Sequence, residues 1–129
     1  MTHDRGPVAE VLAVNAAFYE AHEARDMVAM SAVWEHSERV VCVHPGWPIL
    51  RTWAEVGDSW RRILSGPGRH QFIVTNEAVA VYGDVAWVTC DENLVAEGGT
   101  GTVAATNVFA CDGGVWRLVA HHGSPVMSR

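Results

Sequence analysis

Apolar residues recur along the chain at two spacings, and the change from one to the other falls near residue 70. Over 7–24, Val8, Val11, Leu12, Phe18, Tyr19 and His22 return at steps of three and four, which predicts an amphipathic helix. Pro7 suits its first position, where a missing N–H has no intrahelical partner. Residues 1–6 read as a loose tail. Asp26 is placed to cap a second helix with the stripe Met27, Met30, Val33 and Trp34. Thr52 and Glu55 have capping-box spacing for a third. Its stripe is Trp53, Val56, Trp60, Ile63 and Leu64, and Gly66-Pro67-Gly68 ends it. Between these helices, 40–43 is a short β-prone run. His44-Pro45-Gly46-Trp47-Pro48 is an ordered loop, because two prolines and a glycine exclude regular structure.

After residue 70 the segments His70–Tyr82, Val85–Ala96, Thr102–Cys111 and Val115–His122 are rich in Val, Thr, Trp and Phe, with turn residues between them. Gly83-Asp84 reads as a two-residue hairpin, Gly98-Gly99-Thr100-Gly101 as a longer connection and Asp112-Gly113-Gly114 as a tight turn. Helices followed by an antiparallel meander predict an α+β domain over 7–126. In it, three helices pack on a curved antiparallel sheet and leave a cone-shaped cavity between the layers.

Alternation then assigns faces. With Tyr82 paired to Val85, Thr75, Glu77, Val79 and Val81 share the inner face with Val88, Cys90, Glu92 and Leu94. Asn76, Trp87, Thr89, Asp91 and Asn93 face out. A two-residue turn at Gly113-Gly114 puts Asn107, Phe109 and Cys111 with Trp116, Leu118, Ala120 and His122. A three-residue turn would substitute His121 for His122, and the first register is favoured. Glu92 and Asn107 are then isolated polar residues on an apolar face, where each needs a partner, a water or a ligand.

Composition narrows the function. The net charge is −6 with only nine basic residues, which are scattered, so the electrostatic footprint of a nucleic-acid binder is missing. No apolar run approaches the roughly 18 residues of a membrane span, and the first residues do not resemble a signal peptide, so the cytoplasm is expected. Three cysteines without a CxxC spacing argue against a disulfide framework or structural zinc. Six tryptophans can fill a core or line a pocket for a flat apolar ligand. GxGxxG, P-loop and HExxH patterns are all missing, so an enzyme here is expected to work without cofactor or metal.

The run Cys42-Val43-His44-Pro45-Gly46-Trp47-Pro48 resembles small bacterial SnoaL-like proteins of the nuclear transport factor 2 superfamily. So do the helix Trp53…Ser59-Trp60, the strand Thr106-Asn107-Val108-Phe109 and the ending Trp116-Arg117…His121-His122-Gly123-Ser124-Pro125. The ending is also similar to the association domain of calcium/calmodulin-dependent protein kinase. The resemblance spans about residues 8–126 and implies the cone fold, with Tyr19, Trp34, Trp60, Glu92, Asn107 and His122 lining its interior. It implies no single activity, because the superfamily hosts isomerases, cyclases, dehydratases, hydrolases and non-catalytic assembly domains. The association domain carries arginines where this chain has Glu92 and Asn107, a departure that suggests a neutral or basic ligand, or a general base.

The candidate catalytic residues are therefore Glu92 as base, His122 as imidazole acid–base group and Asn107 as hydrogen-bonding amide. Tyr19, Trp34, His44, Trp47, Trp60 and His121 are candidate ligand contacts. Two functions fit: a cofactor-independent acid–base enzyme acting on a small apolar or polyketide-like molecule, and a non-catalytic ligand-binding or assembly domain. In either case a homodimer through the outer sheet face around Trp87 is expected.

Overall fold

A computed structural model describes residues 5–96 and 98–127. Among these residues there are three helices, α1 (Arg5–Ala24), α2 (Met27–Val33) and α3 (Thr52–Ser65). Six strands follow the same chain order: β1 (Val41–Val43), β2 (Leu50–Arg51), β3 (His70–Tyr82), β4 (Val85–Ala96), β5 (Gly99–Asp112) and β6 (Val115–Pro125). They form one sheet in the order β2-β1-β6-β5-β4-β3.

The local signals act largely as read. Asp26 Oδ1 accepts from the Ala29 N–H at 3.0 Å and starts α2. At α3 the box is modified: the Glu55 N–H donates to Thr52 Oγ1 at 3.4 Å, while the Glu55 carboxylate reaches back to the Arg51 N–H at 2.9 Å. Helix α1 begins at Arg5, two residues before Pro7, so residues 5–6 are helical rather than tail. Residues 1–4 lie outside the described residues.

The sheet departs from a pure antiparallel meander at one strand. Strand β1 lies parallel to β6, with Cys42 opposite His121, and β2 pairs antiparallel on its far side. The chain reaches this position from α2, where Trp34 bridges to Leu118 and the Glu35 N–H donates to the Leu118 carbonyl at 3.0 Å. The β4–β5 connection is shorter than expected, since Gly99 already pairs with Ala96.

Two bulges change the faces. Between Thr75 and Ala78, Asn76 and Glu77 together oppose one residue of β4. Asn76 takes φ +58°, a left-handed conformation that asparagine tolerates. Beyond this bulge Val74, not Thr75, opposes Glu92. In β6 the register slips between Val108↔Ala120 and Phe109↔Leu118, so Val119 is the extra residue. The β5–β6 turn is the two-residue one, with Cys111 opposite Trp116.

The core lies between the helices and the hollow of the sheet. Phe18 is its hub: its ring meets Trp60 edge-on at 5.5 Å and Trp34 at 6.4 Å. Val88, Phe109 and Leu118 close the sheet side, all fully buried. Losing the Phe18 ring would cost about 3–5 kcal/mol by cavity formation.

Candidate functional site

The hollow of the sheet leaves a cavity of about 250 Å³, walled by Phe18 and His22 of α1, Trp60 and Ile63 of α3, and His44, Pro45 and Trp47 of the β1–β2 loop. His70 and Phe72 of β3, Glu92 and Leu94 of β4, Val103 of β5 and His121 of β6 complete it. None of these lining residues carries a permanent positive charge.

Glu92 is 5% exposed. Its Oε2 accepts from the Tyr19 hydroxyl at 2.6 Å and lies 4.0 Å from His121 Nε2. Burial pushes the Glu92 carboxyl up to about 7, against the opposing effect of the Tyr19 hydrogen bond. The Tyr19 phenol is raised far above its ordinary value, first by burial and then by Glu92, so it stays protonated and donates.

Behind Glu92 runs a second layer of polar groups. Asn107 Oδ1 meets His121 Nδ1 at 2.6 Å. Asn107 Nδ2 donates to Asn15 Oδ1 at 2.8 Å and to the Tyr19 hydroxyl at 3.1 Å. Asn15 Nδ2 donates to Glu77 Oε2 at 3.0 Å. An amide oxygen only accepts, so His121 carries its proton on Nδ1 and leaves Nε2 as an acceptor toward the cavity. Burial lowers His121 to about 3, helped by His44, His22 and His122, so the ring is neutral near pH 7.

His44 is oriented separately. The Ser59 hydroxyl donates to the Val56 carbonyl at 2.7 Å, so its oxygen accepts from His44 Nε2 at 2.9 Å. Burial lowers His44 to about 4, and its ring packs edge-on against Trp60 at 4.7 Å and Trp47 at 4.8 Å. His22 is lowered to about 4 by burial and by His70, His44 and Arg25. Among the described residues, the buried His22 Nε2 and Trp60 Nε1 have no hydrogen-bond partner. Burial raises the Cys90 thiol to about 11 and the Cys42 thiol further, so neither is a nucleophile near neutrality. No three His, Cys, Asp or Glu side chains among the described residues are grouped so as to hold a metal ion.

The structure brings together Glu92, His121, His44, Trp47 and Trp60 at the cavity, with Tyr19 and Asn107 directly behind them. It does not bring His122 there. The Val119 bulge turns His121 inward at 4% exposure and leaves His122 on the outer face, beside a shallow hollow with Asn76, Asp91 and Thr106. Trp34 is also displaced from the expected lining: it is core, packed on Phe18 and Trp53 away from the cavity. Sequence reasoning missed Asn15 and Glu77 as partners of the site. Asn15 carried a signal, a polar residue at helical spacing between Val11, Leu12 and Phe18, Tyr19 on the buried stripe of α1.

Known proteins share this architecture. A candidate dehydratase of the NTF2-like family from Streptomyces avermitilis superposes with TM-score 0.89 at 39% identity, over 97% of this chain and 99% of that one. A candidate calcium/calmodulin-dependent protein kinase type II association domain from Thiobacillus denitrificans gives TM-score 0.76 at 34% identity, over 89% and 94%. The F-box protein SKIP8 of Arabidopsis thaliana is 30% identical over 117 residues, 91% of this chain. The chain spans about half the length of that curated relative. No helix among the described residues is long and apolar enough to cross a membrane. Residues 11–128 match the SnoaL-like domain model, and the chain belongs to that family within the NTF2-like superfamily.

Proposed function

We propose that the cavity binds a small neutral or basic molecule and that Glu92 moves a proton on it without a cofactor. The observation that carries this reading is a buried carboxyl with a pKa of about 7, held at 2.6 Å by Tyr19 and facing a neutral imidazole acceptor 4.0 Å away. Such a group is populated in both protonation states near neutrality, as proton transfer in both directions requires. The ionised carboxylate takes a proton from a carbon next to a carbonyl. The resulting carboxylic acid returns it to another carbon, giving isomerisation, or to a departing hydroxyl, giving water and an alkene. His121 Nε2 accepts from a ligand hydroxyl and sets its direction. The name given to the Streptomyces avermitilis protein is in keeping with the second outcome.

The lining supports the ligand class. Aromatic walls favour a flat apolar body, and without a cationic side chain a carboxylate or phosphate would stay unpaired. The volume lies below the roughly 300–1,000 Å³ of drug-sized pockets, which suits a monocyclic or short-chain molecule.

Native mass spectrometry of the purified protein, followed by turnover of whatever molecule it retains, tests the reading. Glu92→Gln keeps the shape and removes the proton carrier, so kcat should fall by about 10²–10⁴. Unchanged turnover would defeat the assignment.

Self-association is supported by a different observation. The outer sheet face carries Trp87 at 41%, Ile73 at 55% and Val85 at 42% exposure, large apolar side chains left open to solvent. A homodimer through this face, or an assembly role like that named for the Thiobacillus denitrificans protein, would cover it. Sedimentation at micromolar concentration should give a dimer, and a monomer would rule this out.

A further inference from the structure

We infer that Glu77 and Asn15 are positioning residues: through a one-way chain of amide hydrogen bonds they fix which nitrogen of His121 is bare. The chain runs Glu77–Asn15–Asn107–His121, from the rim of the sheet to the cavity. Its direction is set at the outer end. A carboxylate only accepts, so Asn15 must turn its NH2 toward Glu77, at 3.0 Å. That leaves Asn15 Oδ1 for Asn107, which must offer its own NH2, at 2.8 Å. Asn107 Oδ1 is then what faces His121 Nδ1, at 2.6 Å, and Nδ1 must hold the proton.

No single flip escapes this order. Moving the His121 proton to Nε2 would set two lone pairs against each other at 2.6 Å. Turning Asn107 over relieves that clash and recreates it against Asn15 Oδ1. Turning Asn15 as well moves it to Glu77, whose exposed carboxylate can turn away to water only by leaving the buried Asn15 Oδ1 without a donor. Each opposed acceptor pair leaves buried polar groups unsatisfied, and Asn15 and Asn107 are fully buried.

The fold draws this chain from four elements, β3, α1, β5 and β6. The bulge at Asn76–Glu77 sends Asn76 outward toward Asp91 and Glu77 inward toward α1. Asn15 occupies the buried stripe of α1, and Asn107 is the register partner of His121. A branch from Asn107 Nδ2 to the Tyr19 hydroxyl carries the same polarity to Glu92, since Tyr19 accepts there and donates its own proton at 2.6 Å. Both branches converge on Glu92, one bringing a donor and the other an acceptor.

The tautomer stands whether or not the acid–base reading does; only its catalytic consequence rests on that reading. Long-range 1H–15N NMR of histidine-labelled protein at pH 7 tests it without a ligand. The wild type should show His121 protonated on Nδ1 and bare on Nε2. Glu77→Lys places a donor where the acceptor was, which favours turning Asn15 and Asn107 over, opposed only by the Tyr19 bond to Asn107 Nδ2, and should raise the Nε2–H to Nδ1–H ratio by about tenfold or more. Glu77→Ala leaves Asn15 to water and should give a detectable mixture, and it decides the matter if the lysine variant does not fold. An Nε2–H form in the wild type, or an unchanged Nδ1–H form in the folded Glu77 variants, would overturn the proposal. Loss of turnover in Glu92→Gln with the tautomer intact would bear on the proposed reaction alone.

Discussion

The Tyr19 hydroxyl sits 2.6 Å from Glu92 Oε2 and is the one hydrogen bond that lowers the carboxyl against its burial. Tyr19→Phe should therefore raise the Glu92 pKa above 7. Titration of a 13C-labelled Glu92 carboxyl reads this directly, and a downward shift would contradict it. Asn107 Nδ2 also loses one of its two acceptors. Stability should fall by about 1–3 kcal/mol in urea unfolding.

Glu92 also predicts a pH dependence of stability. Its folded pKa of about 7 lies above the ordinary 4.5, so between these values the folded state binds more protons. Its contribution is fully present below about pH 4.5 and is lost as pH rises through about 7, on the order of 3 kcal/mol in all. His22, His44 and His121 act in the opposite sense, because burial lowers them to about 4, 4 and 3: their contribution is lost as pH falls from 6.5. Comparing the wild type with Glu92→Gln cancels the shared histidine effect. The stability difference should move in favour of the variant from pH 4.5 to 7.5, and a flat difference would show that the carboxyl is not perturbed.

Ser59 is a packing residue with a hydrogen-bonding duty. Ser59→Ala removes the acceptor for His44 Nε2 and leaves that N–H buried. Unfolding should cost about 1–3 kcal/mol less than in the wild type.

Gly123 is where the loop over the cavity mouth rests on β6. A Cβ there would stand 3.0 Å from Val103 Cγ1 and 3.1 Å from Pro45 Cγ. Gly123→Ala should push Pro45 outward and cost about 1–3 kcal/mol through overpacking. The displaced loop carries Trp47, so its fluorescence should shift to the red; an unmoved spectrum would argue that Val103 yields instead.

The chain displays most of its fold openly, because long strands and capped helices carry periodic patterns that local physics must satisfy. His70–Tyr82 and Val85–Ala96 match to the residue, and the Asp26 cap forms as written. Glu92 and Asn107 were legible as polar residues on an apolar face. Other parts were not. A bulge is a tertiary compromise between two strands and leaves no periodic mark, so alternation misassigned Thr75 and His122. Strand β1 pairs in parallel with β6, with β2, α3 and the three strands β3 to β5 between them in the chain, a contact that no local spacing encodes. Trp34 belongs to an inward stripe, but that stripe faces packed core where the cavity has already closed.

The extra residue in β6 makes the parity of the chain between Trp116 and residue 122 a determinant of the site. If β6 ran straight at its present length, Ala120 and His122 would point to the hollow and His121 away, and Asn107 would face a methyl group. Excising Val119 has the opposite consequence: the strand straightens, yet His121 keeps its inward place. An odd-numbered insertion or deletion that leaves the Val119 bulge in place exchanges one imidazole for its neighbour, a chemical change no side-chain substitution reproduces so cleanly.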